Sequence, residues 1–368
     1  MFFVRADGNA QIGAGHLMRC LTVVDALAQI TGTKENILFL CADEASADLA
    51  KSKGYAAKSM GTDYRDMESE LPFWKEFFED NEKNVEQNVE KNAERNAKQN
   101  DNQEKHTILV DSYHVTEPYL REIRQYGTLF LMDDMQQQCY PVDAVVNYNV
   151  FAKEDTYRQL YGDCHVRYCI GSRYVPIRTQ FTNVDYCVKE AVTDILITTG
   201  GGDSDNIAGK IFQKIYDDRY DYHLITGRFN PHLKELEQLA SACRNLHIYH
   251  DVENMAELMC RCDIAVTAGG TTIYELAAIG VPFVCFSYAE NQELLTNYIG
   301  QHDIAGFAGA YHKNPQQTLE KMKKIVNEMA ESKEKRGVCH DREKQLIDGR
   351  GAERLAREML AGPDNSYL

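Results

Sequence analysis

Short, unbroken apolar runs alternate along this chain with stretches of helical spacing. The runs fall at 2–4, 37–41, 107–111, 128–132 and 144–147, and the series restarts at 194–199, 222–226, 246–250, 263–267 and 282–287. Strands that are apolar at successive positions need cover on both faces, which is the condition of a parallel sheet. Between them, Leu17, Cys20, Leu21, Val24 and Leu27 recur at the spacing of one helix face. Two such series in 368 residues predict an α/β protein of two Rossmann-like, doubly wound domains facing a cleft. The join lies near 171–190, which divides the chain into an N-terminal domain, 1–172, and a C-terminal domain with a helical tail, 173–368.

Residues 81–100 break the pattern. Their near-repeats, from Asn-Glu-Lys-Asn to Ala-Lys-Gln-Asn, offer no broad apolar stripe, so they read as a solvated helix or a disordered insertion in the first domain. A net charge of −16 argues against nucleic acid or an acidic membrane surface as the main partner, because such binding needs clustered Lys and Arg. Any phosphate must then be held locally. The eleven cysteines form no CxxC pair and sit in apolar runs such as Val284-Cys285-Phe286, the pattern of thiols in a reducing compartment. With no basic-then-apolar leader and no run of about 18 apolar residues, the expectation is a cytoplasmic protein without stable membrane association, and a monomer satisfies it.

Candidate chemistry concentrates where strands give way to helices. Ile12-Gly13-Ala14-Gly15-His16 follows the first strand and opens a helix, where backbone N–H groups and the helix dipole favour an anion. It lacks the third glycine of the dinucleotide fingerprint, Met18 standing in its place. A second turn, Thr199-Gly200-Gly201-Gly202-Asp203, follows the first strand of the second half. A third runs from Gly269-Gly270-Thr271-Thr272 through a helix to Gly280 and Pro282. There Thr271 and Thr272 can cap the helix or bond phosphate oxygens, and Glu275 can accept two ribose hydroxyls. Glycine turns at the carboxyl ends of parallel strands imply a phosphorylated ligand between the domains.

The second-half motif resembles the nucleotide-sugar segment of the two-domain, GT-B type glycosyltransferases, the N-acetylglucosaminyltransferase of peptidoglycan synthesis above all. A longer ordered series is similar to the UDP-2,4-diacetamido-2,4,6-trideoxy-β-L-altropyranose hydrolases of pseudaminic acid synthesis. It comprises Arg5-Ala6-Asp7, the run 12–21, Val110-Asp111-Ser112-Tyr113, Met132-Asp133-Asp134, Asn147-Tyr148-Asn149, Tyr174-Val175-Pro176-Ile177-Arg178, the turn 199–203, the Glu275 helix, Glu290-Asn291-Gln292 and the tail 347–352. Tyr274 departs from the smaller polar residue expected at its helix position.

The resemblance implies that water attacks the anomeric carbon and UDP leaves with inversion. His16 would be the base, since imidazole as a residue type is largely neutral near pH 7 and able to take a proton. Asp7 would orient it or touch the sugar, and Tyr113 would bond the sugar or the water. Gly13 and Gly15 would let the backbone approach. UDP and the acetamido groups would be held by Arg173, Arg178, Gly200, Gly201, Gly202, Asp203, Gly269, Gly270, Thr271, Thr272, Glu275, Asn291 and Gln292. No cofactor and no metal are expected, because the sequence holds no His/Cys/carboxylate cluster at ligand spacing apart from Asp133-Asp134. A glycosyltransferase of the same fold, a hydrolysing UDP-sugar 2-epimerase and a non-catalytic nucleotide-sugar binder stay open beside this reading.

Overall fold

The computed structural model describes residues 1–9, 11–79, 106–200, 203–227 and 230–362. The 81–100 segment, Gly201 and Gly202 lie outside them. Two compact units emerge: Met1–Tyr148 with Ala152–Ile170 and the chain from Glu353, and Asn149–Phe151 with Gly171–Ala352.

The first unit carries strands β1 (Phe2–Ala6), β2 (Ile37–Cys41), β3 (Ala56–Ser59), β4 (Thr107–Asp111), β5 (Thr128–Met132), β6 (Ala144–Asn147) and β7 (Arg167–Ile170). Its helices are α1 (Gly15–Thr31), α2 (Glu44–Ser52), a helical stretch over 71–79 (α3), α4 (Glu117–Ile123) and α5 (Glu154–Tyr161). The strands pair in parallel in the order β3-β2-β1-β4-β5-β6-β7. All five residues of β4 and of β5 are buried, which is why these strands read as unbroken apolar runs. Helix α1 buries Leu17, Cys20, Leu21, Val24 and Leu27 along the expected face and stops at Gly32, whose left-handed φ of 74° lets its N–H return to the Ala28 carbonyl.

The second unit repeats the scheme with β8 (Asp194–Thr198), β9 (Asp221–Thr226), β10 (Leu246–His250), β11 (Ile264–Ala268), β12 (Phe283–Ser287) and β13 (Gly306–Ala310). These pair in parallel in the order β10-β9-β8-β11-β12-β13. Helices α6 (Ile207–Ile215), α7 (Leu233–Ala242), α8 (Met255–Arg261), α9 (Thr271–Ile279), α10 (Glu293–Gln301), α11 (Pro315–Glu331) and α12 (Lys333–Leu346) complete it, and α13 (Gly351–Leu360) returns to the first unit.

That return departs from the expected 173–368 domain. Helix α13 buries Leu355, Ala356 and Met359, the Glu358 carbonyl accepts from Arg167 Nη1 at 2.7 Å and the Met359 carbonyl from Thr107 Oγ1 at 3.3 Å. An amphipathic helix goes where its apolar face is covered, and here β4 and β7 supply the anchors. All eleven cysteines are free thiols.

Glu343 on α12 is fully buried without a well-formed hydrogen bond among the described residues. Burial pushes its carboxyl well above the usual range, opposed only by the Phe283 backbone. A raised folded pKa leaves stability intact below the unfolded value and erodes it as pH climbs towards the folded one. Glu343→Gln should therefore raise Tm at pH 8 by roughly 2–4 °C and change it little at pH 4; a calorimetric difference of equal size at both pH values would dismiss the titration.

Candidate active site

In the first unit β1 lies between β2 and β4, so the direction of the crossovers reverses there. Loops leaving the carboxyl ends of two such strands part and open a crevice, the usual ligand position in open α/β sheets. Register sets Ala6 beside Asp111, which places Asp7 and Ser112 at the crevice. The β1 loop folds on itself: Asn9 Oδ1 accepts from the Gln11 and Ile12 N–H groups at 2.9 and 3.2 Å, and Gly13 N–H donates to the Asn9 carbonyl at 2.8 Å. Gly13 needs its φ of +74° for this turn; Gly15 has ordinary φ and begins α1, whose N-terminus no side chain caps.

His16 thus lies in the first turn of α1. With Asp7, Tyr64, Asp111, Ser112, Tyr113 and His114, it lines a cavity of about 220 Å³. Its Nδ1 is 3.4 Å from Asp111 Oδ1, and its ring meets the Tyr113 ring edge-on, with centroids 4.6 Å apart. Tyr113 is half exposed and donates to Asp134 Oδ2 at 3.2 Å. Asp111 is fully buried and gripped by Arg19, whose Nε and Nη2 donate to its two oxygens, each at 2.5 Å. Arg19 Nη1 reaches Asp134 Oδ2 at 2.7 Å and Tyr148 Oη at 2.8 Å. Burial opposes the charged form of Asp111, yet Arg19 and then His16 outweigh it and hold the carboxyl below its usual range.

Asp7 does not orient His16. Its Oδ2 accepts from Arg5 Nη1 at 2.5 Å and its Oδ1 from the Ala42 N–H at 2.7 Å, because β1 and β2 run side by side and a buried Asp at this strand end is drawn to the nearest guanidinium and amide. The carboxylate beside the imidazole is Asp111. Sequence reasoning gave no role to Asp111, Arg19 or His114; the available signals were an Asp closing a fully apolar strand and an Arg inside the buried stripe of α1.

In the second unit the corresponding reversal lies between β8 and β11, with Thr198 beside Thr267. Gly200 turns with φ +93°. Asp203 is already engaged: its oxygens accept from the Ile207 and Ala208 N–H groups at 2.7 and 2.8 Å and from Thr199 Oγ1 at 3.2 Å, so it holds the first turn of α6 beside the N-cap Asn206. After β11, a Cβ on Gly269 would come within 2.8 Å of Gln292 Cβ and Thr296 Cγ2, whereas one on Gly270 would meet nothing within 4 Å. Thr271 and Thr272 open α9 without capping it.

Glu275, one turn in and 9% exposed, accepts at Oε1 from Arg178 Nε at 3.1 Å and Nη2 at 2.7 Å. Burial pushes its carboxyl up, against the pull of Arg178. Arg173 is exposed and lies over the Tyr174 ring at 5.1 Å. Asn291 is exposed, and Gln292 Oε1 accepts from the Tyr288 N–H at 3.0 Å. Tyr274 is buried, its hydroxyl donating to Asn149 Oδ1 at 3.0 Å. Among the described residues no group of three or more His, Cys, Asp or Glu is placed to hold a metal ion, and no helix is long and apolar enough to cross a membrane.

Residues 195–348 match the glycosyltransferase family 28 C-terminal domain. The matched stretch lies within the second unit. The chain is 25% identical over 196 residues to the UDP-2,4-diacetamido-2,4,6-trideoxy-β-L-altropyranose hydrolase of Campylobacter jejuni, covering 53% of this chain and 70% of that protein. It is 26% identical over 220 residues to the spore coat polysaccharide biosynthesis protein SpsG of Bacillus subtilis, 58% of this chain and 63% of that one. An uncharacterised Methanocaldococcus jannaschii protein shares 24% over 298 residues, 78% of this chain and 55% of its own length. Among solved structures, Acinetobacter baumannii MurG superposes with a TM-score of 0.61 at 11% identity over 98% of this chain and 99% of its own. Anabaena HepE, solved in complex with UDP, gives 0.55 at 11% over 98% and 99%. The fold is that of the two-domain GT-B proteins, and the homology supports an enzyme of nucleotide-sugar chemistry.

Gly269→Ala should destabilise the second unit by about 1–3 kcal/mol through the clash with Gln292 and Thr296. Gly270→Ala should leave it nearly unchanged. Equal denaturation midpoints for the two variants would contradict the packing.

Proposed function

We propose that the protein hydrolyses a UDP-linked diacetamido-trideoxy hexose to UDP and the free sugar. The observation that carries this reading is His16, set at a strand-to-helix turn in a cavity with Asp111 at its Nδ1 and Tyr113 against its ring. With Nδ1 turned to a carboxylate, Nε2 is the nitrogen that can take a proton. In the proposed step a water oxygen bonds to the anomeric carbon as His16 takes its proton. The bond from that carbon to the diphosphate oxygen breaks on the opposite face, and UDP leaves with the electron pair. The configuration inverts.

UDP would be held by the second unit. The uncapped start of α9 offers N–H groups and a dipole to the diphosphate, and Glu275 is the acceptor for ribose hydroxyls. The sugar is taken from the hydrolase relative, whose likeness spans just over half of this chain.

Glycosyl transfer is the second reading, favoured by the family 28 domain match. The same base would then deprotonate an acceptor hydroxyl. Incubating the purified protein with UDP-2,4-diacetamido-2,4,6-trideoxy-β-L-altropyranose and no acceptor decides between them. Hydrolysis gives stoichiometric UDP and free sugar with the inverted anomer dominant at early times by NMR, whereas a transferase releases little of either. An altered configuration at C2 would indicate a hydrolysing epimerase.

His16→Asn should lower UDP release by at least about 10²-fold while UDP affinity stays within a few fold; near-normal turnover would remove His16 from the mechanism. Glu275→Ala should chiefly weaken UDP binding by calorimetry, and an unchanged affinity would refute the ribose assignment.

A further inference from the structure

Two carboxylates face the cavity, and each is held from behind by a buried arginine. Asp7 is paired to Arg5, which also donates to both oxygens of Glu70. Asp111 is paired to Arg19 through two parallel N–H···O bonds, the fork geometry that only a guanidinium supplies. Arg19 spans three elements: it leaves α1 one turn beyond His16, closes on the end of β4, and reaches the loop after β5 at Asp134 and the end of β6 at Tyr148. It is 8% exposed. A lone buried carboxylate 3.4 Å from an imidazole would favour imidazolium, which cannot accept a proton. A carboxylate already neutralised by a fork fixes the ring without doing so.

We propose that Arg19 is a positioning residue for the His16 base: by clamping Asp111 it fixes the tautomer and orientation of the ring and offsets the carboxylate charge beside it. The groups around the imidazole fit this account. Asp111 approaches from β4, Tyr113 and His114 from the loop that follows, Asp7 from the end of β1, and Tyr64 from the segment after β3. Behind Asp111 stand Arg19, Cys20 and Asp134. Removing Arg19 leaves the charge of Asp111 without its guanidinium beside His16. Removing the Asp111 charge leaves Arg19, and the imidazolium loses its nearest anion.

The proposal rests on His16 acting as the base, so its test has one readout that needs no catalysis. The His16 ring is titrated by NMR with histidine labelled at Cε1, its signal assigned by loss in His16→Asn, and the pH dependence of UDP release from the same UDP-sugar is measured alongside. Arg19→Gln should move the His16 titration about one unit upward, and the acid limb of the rate profile should move with it. Asp111→Asn should move the titration downward and lower kcat about tenfold or more, with KM little changed. Arg19→Lys keeps the charge but not the fork; it should leave the titration near that of the parent and still lower kcat. The double variant Arg19→Gln with Asp111→Asn, which removes both buried charges, serves if the single Arg19 variant does not fold, and should titrate below the parent. Titrations of the folded charge-removing variants (Arg19→Gln, Asp111→Asn or the double) that superimpose on the parent overturn the proposal. Titrations that shift as stated while the rate profile stays in place uphold the clamp and remove His16 from the role of base.

Discussion

A parallel sheet imposes one constraint from which most of this molecule follows. Every strand must be reached by a crossover, so all carboxyl ends lie along one edge, and every interior strand is sealed on both faces. Where the crossovers change direction, beside β1 and β4 in one unit and β8 and β11 in the other, the covering helices part and the strand ends are left open. The chain places its glycine turns, His16, Asp111 and the Gly269 turn at those ends. The candidate site residues gather there because the backbone leaves the sheet at those ends with the covering helices parted.

The same sealing makes charge costly, and the first unit meets that cost with two arginine forks. Arg5 and Arg19 are both buried, and each ties an Asp at a strand end to carboxylates from elsewhere in the chain, Glu70 and Asp134. The Arg5 network runs on through Glu70 to Tyr119, whose hydroxyl also accepts from Trp74 at 3.0 Å. Taking ions out of water costs several kcal/mol each unless the geometry is close to ideal. Removing one partner would therefore cost far more than the pair contributes. This gives the cavity wall a rigidity that loops alone lack, and it confines the negative charge to fixed positions behind the surface.

The interior strands were legible because burial on two faces writes itself as an unbroken apolar run. The strands that escaped reading are β3, β7 and β13, all at sheet edges. Ala56–Ser59 alternates between exposed and half-buried, Arg167–Ile170 opens on a charged residue, and Gly306–Ala310 is short of side chains to pack. Edge strands are covered less, so composition constrains them less. His16 was legible from its turn. Its partner was not, since Asp111 lies 92 positions beyond Arg19 and nothing local distinguishes it from other residues that close a strand. Asp7, which the sequence offered to orient the ring or touch the sugar, is already engaged by Arg5 and the Ala42 N–H.

The two units also show how one pair of residue types is driven in opposite directions by geometry. Arg19 gives one N–H to each oxygen of Asp111, whose carboxyl is held low; Arg178 gives N–H groups from Nε and Nη2 to a single oxygen of Glu275, whose carboxyl is pushed up. Both carboxylates are deeply buried, so the difference lies in how fully each is compensated. A carboxylate bonded at both oxygens is a fixture, suited to hold a ring in place. One bonded at a single oxygen keeps Oε2 short of donors, and a ligand hydroxyl arriving there would supply what the fold leaves out. Under the proposed reading Asp111 belongs to the catalytic support and Glu275 to ligand recognition, and the division follows from the number of oxygens each arginine reaches.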